Sequence, residues 1–98
     1  MKHFLLIYEA DADYAEKRAP HRAAHLALAK AAAERGELLV AGALTDPIDS
    51  SVFLFQGEGP EAAIAFAQAD PYVTKGVVRS WRVREWATVV GPLAANPV

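Results

Sequence analysis

Two short runs of bulky apolar residues constrain this chain more than any other feature. They are His3-Phe4-Leu5-Leu6-Ile7-Tyr8 and Ser51-Val52-Phe53-Leu54-Phe55-Gln56. Neither shows the polar alternation of a strand with one face in water, and both are too short to make a packed helix. Each is closed by polar or flexible residues, Glu9 and Asp11 after the first and Gly57-Glu58-Gly59 after the second. Runs of this kind read as strands buried on both faces.

The remaining segments alternate around these two. From Glu16 to Arg35 the chain is rich in Ala with Lys, Arg, Leu and Glu, residues of high helix propensity. Pro20 suits a helix start, so the regular helix is expected from near Pro20 to Arg35, with any turn holding Lys17 and Arg18 separate from it. Ala24, Leu28, Ala31 and Ala32 are expected to share its apolar stripe. Gly36 is placed to end that helix. Glu37 to Leu44 reads as a second strand, followed by the turn-rich Thr45-Asp46-Pro47-Ile48-Asp49-Ser50. Pro60 opens a second helix, Glu61 to Ala69, which Asp70-Pro71 closes because a residue before proline leaves the α region. Tyr72 to Gly76 is a turn, Val77 to Trp86 a fourth strand, and Val89 to Val98 a Pro- and Gly-containing tail. The unit 1–90 is thus one domain and 91–98 a C-terminal tail.

The order β-α-β-β-α-β, closed by right-handed crossovers, is an α+β ferredoxin-like antiparallel sheet with both helices on one face. A bare apolar sheet face then remains on the other side, which a soluble monomer rarely shows. A second copy packed sheet to sheet covers it, so a homodimer, or a higher oligomer built from one, is expected on physical grounds.

Composition removes several classes of function. Ten Lys and Arg against twelve Asp and Glu give a formal charge of −2, with no basic arm, so nucleic acid is not an expected partner. The absence of cysteine removes thiolate nucleophiles and Cys-held metals. The apolar run near Met1 is too short for a signal peptide or a membrane span, so a cytoplasmic protein without a membrane partner is expected. No glycine-rich phosphate cradle and no nucleophile elbow occur. His21 and His25 have the i, i+4 spacing of a metal pair but lack a third ligand nearby, so neither a metal nor another cofactor is expected.

Two short elements are more telling: Arg22-Ala23-Ala24-His25-Leu26 and Ala69-Asp70-Pro71-Tyr72. Together with Phe4 to Tyr8, Glu16-Lys17-Arg18, Gly36 to Gly42 and Gly76-Val77, in this order and separation across residues 4 to 86, the chain resembles the YCII-related (YciI-like) family. The resemblance implies a dimeric α+β barrel, the fold of muconolactone isomerases and many small monooxygenases. It also implies a His–Asp pair in a pocket, carried here by His25 and Asp70, and chemistry on small cyclic compounds. One relative is linked to dehydrochlorination of a chlorinated hydroxyhydroquinone. The chain departs from the family in its tail and in its short link between strands two and three, which leaves the pocket more open.

Each candidate has a plain structural alternative. His25 is either a general acid or base, the role histidine suits near neutral pH, or an inert helix histidine at the core edge. Asp70 either orients His25 or caps residues 72 and 73 from its place before Pro71; both roles are compatible. Arg18 and Arg22 lie on one stripe with His25 if the helix reaches back, where they would bind a carboxylate or phenolate; otherwise they are solvated or paired with Glu16 or Asp13. Tyr72, with Tyr8, Phe53 and Trp81, lines a pocket or fills the core and interface. The function expected is a cofactor-free isomerase- or lyase-like enzyme using His25 and Asp70, with Arg22, Arg18 and Tyr72 binding a small cyclic or carboxylated ligand. The alternative is a non-catalytic binding or structural dimer module.

Overall fold

A computed structural model describes residues 1–98. Strand β1 (Lys2–Ala10) leads into a short helix α1 (Tyr14–Arg18), a single 3₁₀ turn (Ala19–His21) and the long helix α2 (Arg22–Glu34). Strands β2 (Leu38–Leu44) and β3 (Ser50–Gly57) follow, then α3 (Glu61–Ala69), a one-turn helix α4 (Pro71–Thr74) and β4 (Val78–Trp86). The sheet has four strands in the order β2-β3-β1-β4, every neighbouring pair antiparallel. This is the ferredoxin-like α+β architecture expected from the segment order, and no helix is long and apolar enough to cross a membrane.

One local detail follows the sequence expectation and two differ from it. The Ala-rich segment breaks where Pro20 enters the 3₁₀ turn, so Lys17 and Arg18 do occupy a separate helix. The apolar stripe of α2 runs through His25, Leu28, Ala29 and Ala32, whereas Ala24 is exposed. Tyr72 sits in α4 rather than in an irregular turn, because Asp70 and Pro71 start a new helical turn with the Asp70 side chain accepting from the Tyr72 N–H. Gly36 ends α2 as its position suggests. With a φ of 79°, it lets the Gly36 and Glu37 N–H groups bond Ala33 and Ala32 carbonyls at 3.0 and 3.1 Å.

The two sheet faces follow from strand register. Phe4 faces Phe55, Leu6 faces Phe53 and Tyr8 faces Ser51, so these six side chains share the face covered by the helices. There they pack with Ala32, Ala63, Phe66 and Ala67. Phe66 lies 5.2 Å from Phe53 and 5.6 Å from Phe55 between ring centroids, which ties α3 to the sheet centre. Leu5, Ile7, Val52 and Leu54 point to the other face, with Val40, Leu44 and Trp86 at its margins. The C-terminal residues fold back at one end of this face, where Thr88 Oγ1 lies 2.8 Å from His3 Nδ1 and accepts the Ala95 N–H at 2.8 Å.

Candidate functional site

Three groups, from β1, α2 and α4, converge on one carboxylate. Asp70, wholly buried between α3 and α4, takes a hydrogen bond from the Tyr8 hydroxyl at 2.7 Å and from the Tyr72 N–H at 3.0 Å. His25 Nδ1 lies 2.8 Å from Oδ2 and 3.0 Å from Oδ1 of the same group. A carboxylate only accepts, so the Nδ1 proton belongs to this contact and Nε2 is the free ring nitrogen. Nε2 has no hydrogen-bond partner, yet it is not among the sealed unpartnered atoms, so it opens toward solvent.

The ring of His25 is fixed from its face as well as its edge. It stacks on Tyr72 with centroids 3.8 Å apart and planes within 3° of parallel. Phe53 and Phe66 approach it at 6.0 and 6.2 Å, both near perpendicular. A cation forming on this imidazole would meet an electron-rich ring face on one side and a carboxylate on the other.

His25 lines a cavity of about 330 Å³ between α1, α2 and β2, at the small end of the range for ligand sites. Tyr14, Arg18, Arg22, Phe53, Ser51 and Tyr72 also line it. Arg18 lies over the Tyr14 ring, 5.2 Å from its centroid. Neither Arg18 nor Arg22 forms an ion pair, so the pairing with Glu16 or Asp13 open in the sequence is not made. Asp70 does not line the cavity; it stands behind His25.

The two buried phenols have different surroundings. Burial pushes the Tyr8 pKa far up, helped by its bond to Asp70, so Tyr8 stays a protonated donor. Burial also raises that of Tyr72, while Arg22 and Arg18 oppose the rise. Tyr72 Oη is buried, with the Arg22 guanidinium near it but no protein group accepting its proton.

A profile of the YCII-related domain matches residues 1–87. The chain belongs to the YCII-related family. Protein YciI of Escherichia coli O6:H1 is 38% identical over 94 residues, a match spanning 86% of this chain and 96% of that one, and the Shigella flexneri protein of the same name matches equally. Among solved structures, a 5-chloro-2-hydroxyhydroquinone dehydrochlorinase of Burkholderia phenoliruptrix, in complex with 2,5-dihydroxybenzoquinone, superposes with a TM-score of 0.73 at 19% identity, covering 88% of this chain and 94% of its own. A candidate antibiotic biosynthesis monooxygenase of Deinococcus radiodurans gives a TM-score of 0.54 at 15% identity, covering 93% and 95%. At these identities the likeness is one of α+β fold.

Against this YCII-related fold, the residues singled out in the sequence fall into two groups. His25, Arg18, Arg22 and Tyr72 share the cavity wall, while Asp70 holds His25 from behind and caps α4 at once. Trp81 packs half-buried against the core, outside the cavity wall. The bond from Tyr8 to Asp70 was not foreseeable: a tyrosine ending an apolar strand carries no local sign of a partner 62 residues away. Lys30 also lines the cavity, though in the sequence it reads as an ordinary helix lysine.

Proposed function

We propose that this protein is a small acid–base enzyme, isomerase- or lyase-like, that moves a proton on a small cyclic or carboxylated organic molecule and works as a homodimer. The observation that carries the reading is His25, with Nδ1 held by a buried Asp70 and Nε2 left free beside a cavity that presents Arg18 and Arg22. In this scheme Nε2 takes a proton from the substrate and Asp70 stabilises the imidazolium without moving. Arg22, with Arg18, offsets the negative charge that proton loss leaves on the substrate. The proton then returns to another atom, in isomerisation, or stays on His25 while a leaving anion departs, in elimination. The fold shared with a hydroxyhydroquinone dehydrochlorinase agrees with the elimination branch and with a hydroxylated ring as substrate.

The homodimer is supported by the uncovered sheet face, where Val40 is 61% and Leu44 53% exposed beside Leu5 and Val52.

The test is a turnover screen on hydroxylated rings and small lactones, comparing wild type with His25→Gln. Loss of about 10²- to 10⁴-fold in rate with an unchanged melting temperature is expected. Equal turnover in the two proteins would remove His25 from the chemistry. Ligand-induced stabilisation without turnover by wild type would point to a binding module, and lost thermal stability alone to a structural pair.

A further inference from the structure

We infer that the cavity takes an elongated anion: a small ring with an electron-rich oxygen at the Tyr72–Arg22 end, carrying a carboxylate that reaches Lys30. The inference rests on the acid–base reading for which end of the ligand reacts. It adds Lys30 as a specificity-determining residue.

Arg18, Arg22 and Lys30 recur at four and eight residues along one side of α1 and α2, and all three line the cavity. No Asp or Glu lines it. The chain as a whole is acidic by −2, so this wall does not reflect a generally basic surface. None of the three has an ion pair, while their neighbours do: Lys17 holds Asp11 at 2.7 Å and Arg35 holds Glu37 at 2.9 Å. Glu34, one turn beyond Lys30, is not paired with it either. Arg18 and Arg22, four residues apart, repel one another, and an anionic ligand beside them relieves that repulsion.

Tyr72 points independently to a ligand. It is 2% exposed, lines the cavity, and carries a buried hydroxyl that Arg22 approaches but whose own proton no protein group accepts. Such a hydroxyl is costly to bury alone, and a ligand oxygen beside Arg22 and His25 would accept from it.

The wall between the two charged ends is apolar. Leu26 and Ala29 lie between Arg22 and Lys30 on α2 and line the cavity, as does Leu38 of β2. Eight residues at ~1.5 Å each separate those two positions by about 12 Å along the helix, a gap that two long side chains can narrow. Polar, then apolar, then polar is the order this wall offers, and a ring with a short carboxylate arm matches it.

The probes are 2,5-dihydroxyphenylacetate and its methyl ester, titrated by calorimetry at low and high ionic strength. Wild type is expected to bind the acid more tightly than the ester, with the preference shrinking in salt. Lys30→Gln should weaken the acid about three- to tenfold and leave the ester unchanged, Lys30→Arg should restore the acid, and Arg22→Gln should weaken both. Equal affinity of wild type for the two probes, or an unchanged acid affinity in Lys30→Gln, overturns the Lys30 subsite. Failure of both probes to bind overturns the ligand class. Each of these readouts is binding alone, so a failure of proton transfer by His25 would show in turnover and leave them standing.

Discussion

The two faces of the sheet are made from the same kinds of residue and meet different fates. Phe4, Leu6, Tyr8, Phe53 and Phe55 are sealed under the helices, while Leu5, Ile7 and Val52, their neighbours in the same strands, are only half-buried. Alternation along a strand assigns each side chain to a face, but what covers that face decides what the side chain contributes. The covered face holds the protomer together and, through Tyr8, supports the candidate site. The open face has apolar surface to spare, which the homodimer proposal assigns to association.

Substitutions in adjacent positions sharpen this contrast. Phe53→Ala should cost about 3–5 kcal/mol in urea unfolding, against about 1 kcal/mol for Val52→Ala beside it, a difference that similar losses would erase. Asp70→Ala should cost about 2–4 kcal/mol, the sum of a lost helix cap and an orphaned Tyr8 hydroxyl, read in the same way. Tyr8→Phe should cost about 1 kcal/mol at neutral pH. In the folded protein Tyr8 and Tyr72 resist ionisation, whereas an unfolded tyrosine ionises near ~10. Their stabilising effect is therefore full below about pH 10 and falls as pH rises past it, and Tyr8→Phe should flatten that alkaline decline in unfolding midpoints. Smallest within the protomer is Val40→Glu, expected within about 0.5 kcal/mol in stability. On the open face it should nevertheless abolish dimerisation in sedimentation velocity, and a dimer that survives it would place the interface elsewhere.

Much of this fold was legible because its signals are local. Gly36 ends α2, Pro60 precedes α3, and Asp70-Pro71 closes it, each through a backbone preference of one or two residues. Elements too short to show a period were less so: α4 has four residues, and the 3₁₀ turn three. The excess apolar content of β1 and β3 did announce an open face. At the site, family resemblance singled out His25 and Asp70, since neither spacing nor composition marks them. Lys30 and the bond from Tyr8 to Asp70 were silent for opposite reasons: a helix lysine defaults to solvent, and a strand tyrosine defaults to core. Only tertiary placement distinguishes them from residues without a special setting.

Asp70 sets a timetable as well as a geometry. Its partners Tyr8 and His25 lie 62 and 45 residues away in sequence, and only the Tyr72 N–H is local. The local cap can form as soon as α4 turns, but the long-range bonds wait for β1 and α2 to dock, since distant contacts require the larger loop closures first. A half-assembled chain would therefore have the carboxylate without its imidazole. Docking of α2 onto the sheet brings His25 to Asp70, so the geometry of this cavity exists only in a completed fold.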